Sequence, residues 1–346
     1  MKKIFIACPA NITTGGPELL HQLCYTLREL KYNAVMYYYN FNKERYITPI
    51  AEEYKVYNNP FVTSFEDNVE NLIVIPEVEY NMLKSIKLAK KVFWWLSVDN
   101  YCSSRSRKWS NILLKLGFSG LDGYKYKKVF GLLDEKFLFL DEVIHFVQSK
   151  YAKEFCNNLG IENSRIYYLS DYLNPIFINN AIDKREYIKK ENIVLYNPKK
   201  GYEFTKKIIE KSPHIRWVAL KNLSREEMSN LLLKSKVYID FGNHPGKDRI
   251  PREAAISGCC VITGLRGSAK YYEDVPINNE YKIKDSEDNI IEIINKIQNI
   301  FENFEENYLN FEEYRKYILN EEKVFNQNVK YIFNKIIMIN IEKVFF

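Results

Sequence analysis

Most of the patterns by which an enzyme class is recognised are missing from this sequence. The six cysteines (Cys8, Cys24, Cys102, Cys156, Cys259, Cys260) form no CxxC pair and no metal-ligand spacing. That excludes a zinc ribbon and points to thiols kept reduced, behaving as small hydrophobes. Only four histidines occur, at 21, 145, 214 and 244, and none belongs to an HExxH pattern. GxGxxG, the P-loop and the GxSxG elbow are absent, which speaks against a nicotinamide or flavin enzyme, a P-loop nucleotidase and a serine hydrolase. No DxD carboxylate pair is present. No window approaches the roughly 20 apolar residues of a spanning helix. Net charge is only +6, with no arginine-rich stripe, so nucleic acid is not an expected partner.

What is present suits two ordinary domains. The chain has 346 residues, 46% of them hydrophobic and 27% charged, enough for two separate cores. Its 27 tyrosines are spread through strands and loops and read as core and coding bias. Met1-Lys2-Lys3 followed by an apolar run imitates a signal peptide, but the run is short and a Gly-Gly helix start follows. A first β-strand is the better reading. The expected location is the cytoplasm, at most peripheral on the inner membrane face.

Short apolar strands alternate with amphipathic helices in two series, which predicts an α/β protein of two Rossmann-like, doubly wound parallel-sheet domains facing a central cleft. The expected boundaries are 1–172 for the first domain, with a helical insertion at about 101–140, and 173–320 for the second. Residues 321–346 are expected to form a helix returning to the first domain. A helix is expected over 79–90, a linker over 171–190, and a helix start at Pro251. Ser224 with Glu227 reads as a capping box. In such sheets ligands bind beyond the carboxyl ends of the strands, so function is expected on the loops after Cys8, Ile75, Ser97, Tyr196, Leu220 and Asp240.

The most informative stretch is Asp240 to Tyr272. An apolar strand leads into a loop holding His244, Gly246, Lys247 and Arg249, and then into a short helix with Arg252 and Glu253. Basic side chains before a helix N-terminus suit a diphosphate; a surface loop with an incidental ion pair is the competing explanation. The Gly267-Ser268 turn closes the next strand at the same edge. Asn197-Pro198-Lys199-Lys200-Gly201 ends the first strand of the second domain, where lysine can neutralise a phosphate oxygen; solvated lysines are the commoner case. In the first domain, Gly15 and Gly16 open a helix and would let a ligand approach the backbone. Asp99, following Trp94-Trp95, is a candidate general base or else a helix cap. Glu77 is a second candidate.

These residues resemble the GT-B glycosyltransferases, especially the family-4-like branch of capsule and lipopolysaccharide synthesis. The resemblance rests on Gly15-Gly16-Pro17-Glu18, on the basic turn 197–201, and on Glu253-Ala254-Ala255-Ile256-Ser257-Gly258-Cys259-Cys260-Val261-Ile262. It implies metal-independent transfer of a sugar from a nucleotide-sugar donor to a glycan or lipid-linked acceptor, with possible peripheral membrane contact. Donor contacts would come from Gly15, Gly16, Lys199, Lys200, His244, Lys247, Arg249, Arg252, Gly267 and Ser268, and catalytic roles from Asp99 and Glu253. Glu253 matches the second of the family's paired glutamates, while proline occupies position 245. A sugar-nucleotide epimerase or hydrolase on the same fold, and a non-catalytic glycan-binding scaffold, are the alternatives.

Overall fold

The computed structural model describes residues 2–104, 136–140 and 142–345, with side chains through 336. The expected insertion at 101–140, with Arg105, Arg107, Lys108 and Trp109, lies almost wholly outside the described residues. The chain divides into two compact units, Met1–Asp171 with Phe325–Phe346, and Tyr172–Val324.

The first unit is built on a seven-stranded parallel sheet. Its strands are β1 (Ile4–Pro9), β2 (Ala34–Tyr39), β3 (Phe61–Val62), β4 (Leu72–Pro76), β5 (Lys90–Trp95), β6 (Val143–Val147) and β7 (Ile166–Tyr168), in the order β3-β2-β1-β4-β5-β6-β7. Ile4 of β1 stands opposite Ala34 on one side and Leu72 on the other. The chain therefore leaves β1 in one direction and later restarts beside it in the other, a topological switch point between β1 and β4. Strands buried on both faces need apolar residues throughout, and Leu72–Pro76 is buried at every position. Helix α1 (Gly15–Glu29) follows β1, a short α2 (Met82–Ser85) follows β4, and α3 (Lys150–Leu159) follows β6. Trp94 and Trp95 are fully buried. The Trp95 indole N–H donates to His145 Nδ1 (3.2 Å), and His145 Nε2 meets the Leu138 carbonyl (3.0 Å). Burial pushes the His145 ring down to about 4, so it stays neutral and structural.

Two expectations fail here for identifiable reasons. The helix foreseen over 79–90 is a single 3-10 turn plus α2, because the Asp67 carboxylate accepts the backbone N–H groups of Lys87, Leu88 and Ala89. Those amides are thereby lost to a helical ladder. The supposed linker at 171–190 contains α4 (Pro175–Lys184). Asn174 caps it through its side chain, and Pro175 sits at the first position, where its missing N–H costs nothing.

The second unit carries a four-stranded parallel sheet of β8 (Glu191–Tyr196), β9 (Arg216–Ala219), β10 (Ser235–Asp240) and β11 (Cys260–Thr263), ordered β11-β10-β8-β9. Its switch point falls between β8 and β10. Helices α5 (Tyr202–Lys211), α6 (Arg225–Lys234), α7 (Arg249–Ile256), α8 (Ile290–Glu302) and α9 (Phe304–Leu309) surround it. The Ser224–Glu227 capping box starts α6. Helix α7 begins two residues before Pro251, which is tolerated because first-turn amides have no intrahelical partner.

Helix α10 (Glu312–Phe345) begins in the second unit and ends in the first. In the first unit the Thr26 hydroxyl donates to Asn326 (2.9 Å), the Tyr32 hydroxyl donates to Asn334 (2.7 Å), and Phe333 meets Phe146 edge-on. No described helix is long and apolar enough to cross a membrane.

Candidate functional site

Three strand exits crowd together at the switch point of the second sheet. Gly201, in the turn after β8, has φ +62°, and a Cβ there would come within 2.6 Å of the Phe241–Gly242 backbone after β10. Gly267, after β11, has φ +59°, and a Cβ there would overlap the His244 carbonyl oxygen. Only glycine combines the left-handed backbone with so close an approach. The Ser268 backbone N–H donates to the His244 carbonyl (2.9 Å) and its hydroxyl to the Gly246 carbonyl. Gly267 and Ser268 therefore hold the loop 241–248 in place, and the buried Ser268 hydroxyl is spent on that task.

The loop itself is organised by charge. His244 is fully buried. Asp240 Oδ1 lies 3.4 Å from its Nε2 and Asp248 Oδ2 lies 3.4 Å from its Nδ1. Both contacts have ion-pair distance without good hydrogen-bond direction. Burial disfavours the imidazolium, but the Asp240 carboxylate, helped by Asp248, outweighs it and raises the ring above its ordinary 6.5. Burial would likewise raise Asp240; the His244 charge, the Gly242 N–H and the Tyr238 hydroxyl overcome this and lower it below 3.8. Asp248 also accepts from Lys200 Nζ at 2.8 Å, so one carboxylate ties the turn after β8 to the loop after β10. Asp240, His244 and Asp248 are a set of residue types that could ligate a metal, with their donor atoms within 4.8 Å of one another. The two carboxylates address opposite ring nitrogens.

Lys247 and Arg252 do not stand at an open anion seat. Lys247 Nζ lies 2.7 Å from Glu321 Oε1 and 2.9 Å from the Tyr317 hydroxyl. Arg252 Nη1 donates to Glu321 Oε2 (2.8 Å), and its Nη2 donates to the Lys247 carbonyl (3.1 Å). All three charged side chains are buried. Sequence reasoning treated Lys247 as exposed because it precedes a helix start. Its partner is more than seventy positions away on α10, and no local pattern reveals that. The basic groups left nearer the surface are Lys199, which is exposed, and Lys200 and Arg249, which are half-buried; Glu253 is buried behind them.

In the first unit the switch point opens into a cavity of about 250 Å³ at the exits of β1, β4 and β5. Thr14, Gly16, Glu77, Ser97 and Asn100 are among its lining residues. The Thr14 carbonyl accepts from the Tyr54 hydroxyl (2.8 Å), which fixes the loop that opens α1. A Cβ on Gly16 would meet nothing closer than Leu96 Cδ1 at 3.6 Å, so its smallness answers no internal clash. Asp99 lies outside the lining and accepts from the Tyr151 hydroxyl (2.9 Å). Glu77 is the buried carboxylate there, and its only sequence cue is its place one residue beyond a strand ending in proline.

No protein-family model matches the chain, and no curated protein matches it. Solved structures do. HepE from Anabaena, in complex with UDP-glucose, is 11% identical with a TM-score of 0.61, over 96% of this chain and 99% of that one. Sucrose-phosphate synthase from Thermosynechococcus elongatus is 11% identical with a TM-score of 0.64, over 98% and 100%. WaaG, a glycosyltransferase involved in lipopolysaccharide biosynthesis, is 12% identical with a TM-score of 0.53, over 94% and 99%. The chain has the GT-B fold of these structures.

Two expectations follow. Replacing Glu321 by alanine strands two buried cations and should cost about 3–5 kcal/mol in urea unfolding, whereas Lys247→Ala, which leaves Arg252 on Glu321, should cost less. A Gly267→Ala variant should lose about 3 kcal/mol in the same measurement.

Proposed function

We propose that the chain is a glycosyltransferase that moves a sugar from a nucleotide-activated donor to a glycan or lipid-linked acceptor in bacterial surface polysaccharide synthesis, without a metal. The observation that carries this reading is the switch point of the second unit, where the basic turn 197–201 is tied through Lys200 to Asp248, the residue before α7 and Arg249. That placement suits a diphosphate, since ligands of open parallel sheets bind at such points and helix amides favour anions. The GT-B fold, shared with HepE holding UDP-glucose and with WaaG, supports the same choice.

In this mechanism the departing nucleoside diphosphate gains negative charge as the bond to the sugar breaks. Lys200 and Arg249, with the α7 amides, stabilise that charge where it develops. The diphosphate competes with Asp248 for Lys200, so the proton on His244 keeps Asp248 compensated when Lys200 turns away. Glu253, behind the same turn, is positioned to hold donor hydroxyls. The acceptor belongs to the first unit, with Gly15, Gly16 and Asp99 at its edge. We place the enzyme in the cytoplasm, with its acceptor presented at the membrane surface.

UDP, GDP, ADP and CMP should be compared by thermal shift. Saturation at a hundred times Kd adds about 2.7 kcal/mol; no shift with any of them at millimolar concentration would instead favour a glycan-binding scaffold. Epimerised product without acceptor would favour an epimerase. Lys200→Ala should weaken the preferred nucleotide by roughly ten-fold or more, the value of a charged hydrogen bond, and EDTA should leave the affinity unchanged. The pH dependence follows from His244 and Asp240. A raised histidine contributes stability that is complete below 6.5 and is lost as pH climbs through its folded value. A lowered aspartate contributes stability present above 3.8 and lost as pH falls through its folded value. Nucleotide affinity measured by calorimetry should therefore fall as pH rises beyond 6.5, and His244→Gln should remove that decline.

A further inference from the structure

Glu77 is 2% exposed yet lines the cavity at the switch point of the first sheet. Its carboxylate accepts the Leu96 backbone N–H at 3.1 Å through Oε2, which aims the group from the end of β4 across the exit of β5. No lysine, arginine or histidine is among the cavity's lining residues. The polar groups that share the space are the Thr14 and Ser97 hydroxyls and the Asn100 amide. Tyr39 of β2 feels Glu77 together with Glu79 and Cys8, and no described charged group acts appreciably on Glu77. Burial is the main influence on Glu77; backbone N–H groups of Leu96 and Ser97 oppose it without cancelling it, and the carboxyl is pushed up to about 8.

Among the described residues this carboxylic acid has no counter-charge and sits among hydroxyls and one amide, a setting matched to an uncharged hydroxyl-bearing ligand. An anionic ligand would meet no compensating cation there, and a cationic one would meet an acid held neutral. Asp99 offers no such setting, since it is half-exposed, bonded to Tyr151 and outside the cavity.

We propose that Glu77 binds the reacting hydroxyl of an uncharged saccharide acceptor in this cavity and takes its proton during transfer. The proposal rests on the transferase reading above. As the acceptor oxygen bonds to the anomeric carbon, the bond from that carbon to the diphosphate oxygen breaks, and its electron pair leaves with the nucleotide. The hydroxyl proton passes to the ionised Glu77 carboxylate and is returned to solvent before the next turnover. A base whose pKa lies near working pH suits this task. The active form is the ionised one, so kcat/KM rises with pH towards about 8.

The test uses the full chain, a panel of nucleotide sugars as donors and neutral methyl glycosides as acceptors. Glu77→Gln keeps an oxygen for the Leu96 N–H and should fold. It should lower kcat by 10²–10⁴-fold, the usual range for a lost general base, abolish the rise of kcat/KM between pH 7 and about 8, and leave nucleotide affinity unchanged. Glu77→Asp should recover part of the rate, and Asp99→Asn should keep the pH rise. An acid raised from 4.5 to about 8 also makes the wild-type protein lose stability as pH rises through that interval. Glu77→Gln should flatten that loss in urea unfolding, a readout independent of turnover. Glu77→Gln activity within a few-fold of wild type, or a persisting pH rise, overturns the assignment of Glu77 while leaving the transferase standing. A wild-type protein that transfers no sugar from any donor overturns both.

Discussion

The switch-point edge of the second sheet depends on backbone meeting backbone. The turns after β8, β10 and β11 approach so closely that Gly201 and Gly267 have no room for a side chain. Side-chain packing alone could not bring three loops into that contact, because each Cβ would hold them apart by more than an ångström. Once the turns are in contact, the polar groups between them must be paired inside the protein, since water is excluded. The Asp240–His244–Asp248–Lys200 chain follows from that requirement: alternating charges link two turns through one ring.

A second buried network explains how the loop is tied to the rest of its unit. Glu321 of α10 collects Lys247 from the loop and Arg252 from α7. Isolated buried ion pairs seldom add stability over apolar replacements, so the arrangement is better understood as fixing position. One carboxylate with two cations specifies a single seating of loop and helix, which a greasy contact would leave free to slide.

Much of the architecture could be read from the residues. Apolar runs with β-branched and aromatic residues mark every strand of both sheets except the two-residue β3, and Ser224 with Glu227 announces α6. Failures fell where a distant or local side chain captures the backbone: Asp67 takes three amides from a would-be helix, and Asn174-Pro175 starts a helix inside a polar stretch. The basic loop was legible as a place but not as an arrangement. Which of its cations face inward is decided by Glu321, and α10 lies too far along the chain for any spacing rule to connect them. Glu77 was legible only as a second candidate behind Asp99, for a different reason. A carboxylate after a strand looks like any surface acid until the exits of β1 and β5 close around it.

The chemistry at the two switch points differs in sign, and the difference follows from what flanks each one. In the second sheet, β8 and β10 are followed by Lys-Lys-Gly and by a histidine between aspartates, so the edge is rich in charge that compensates itself and leaves cations towards the surface. In the first, β1 is followed by Thr-Thr-Gly-Gly and β4 by Glu77, so the cavity lining holds hydroxyls, backbone and, among the described residues, one acid. The proposed transfer, which expels a nucleoside diphosphate from one substrate while removing one proton from the other, is served by this division. Positive charge at the proton-accepting carboxylate would lower its basicity, and a neutral acid beside the departing diphosphate would stabilise nothing. Housing the two requirements at the switch points of separate sheets lets each be tuned by its own loops, which is a physical reason for one chain to carry the Rossmann arrangement twice.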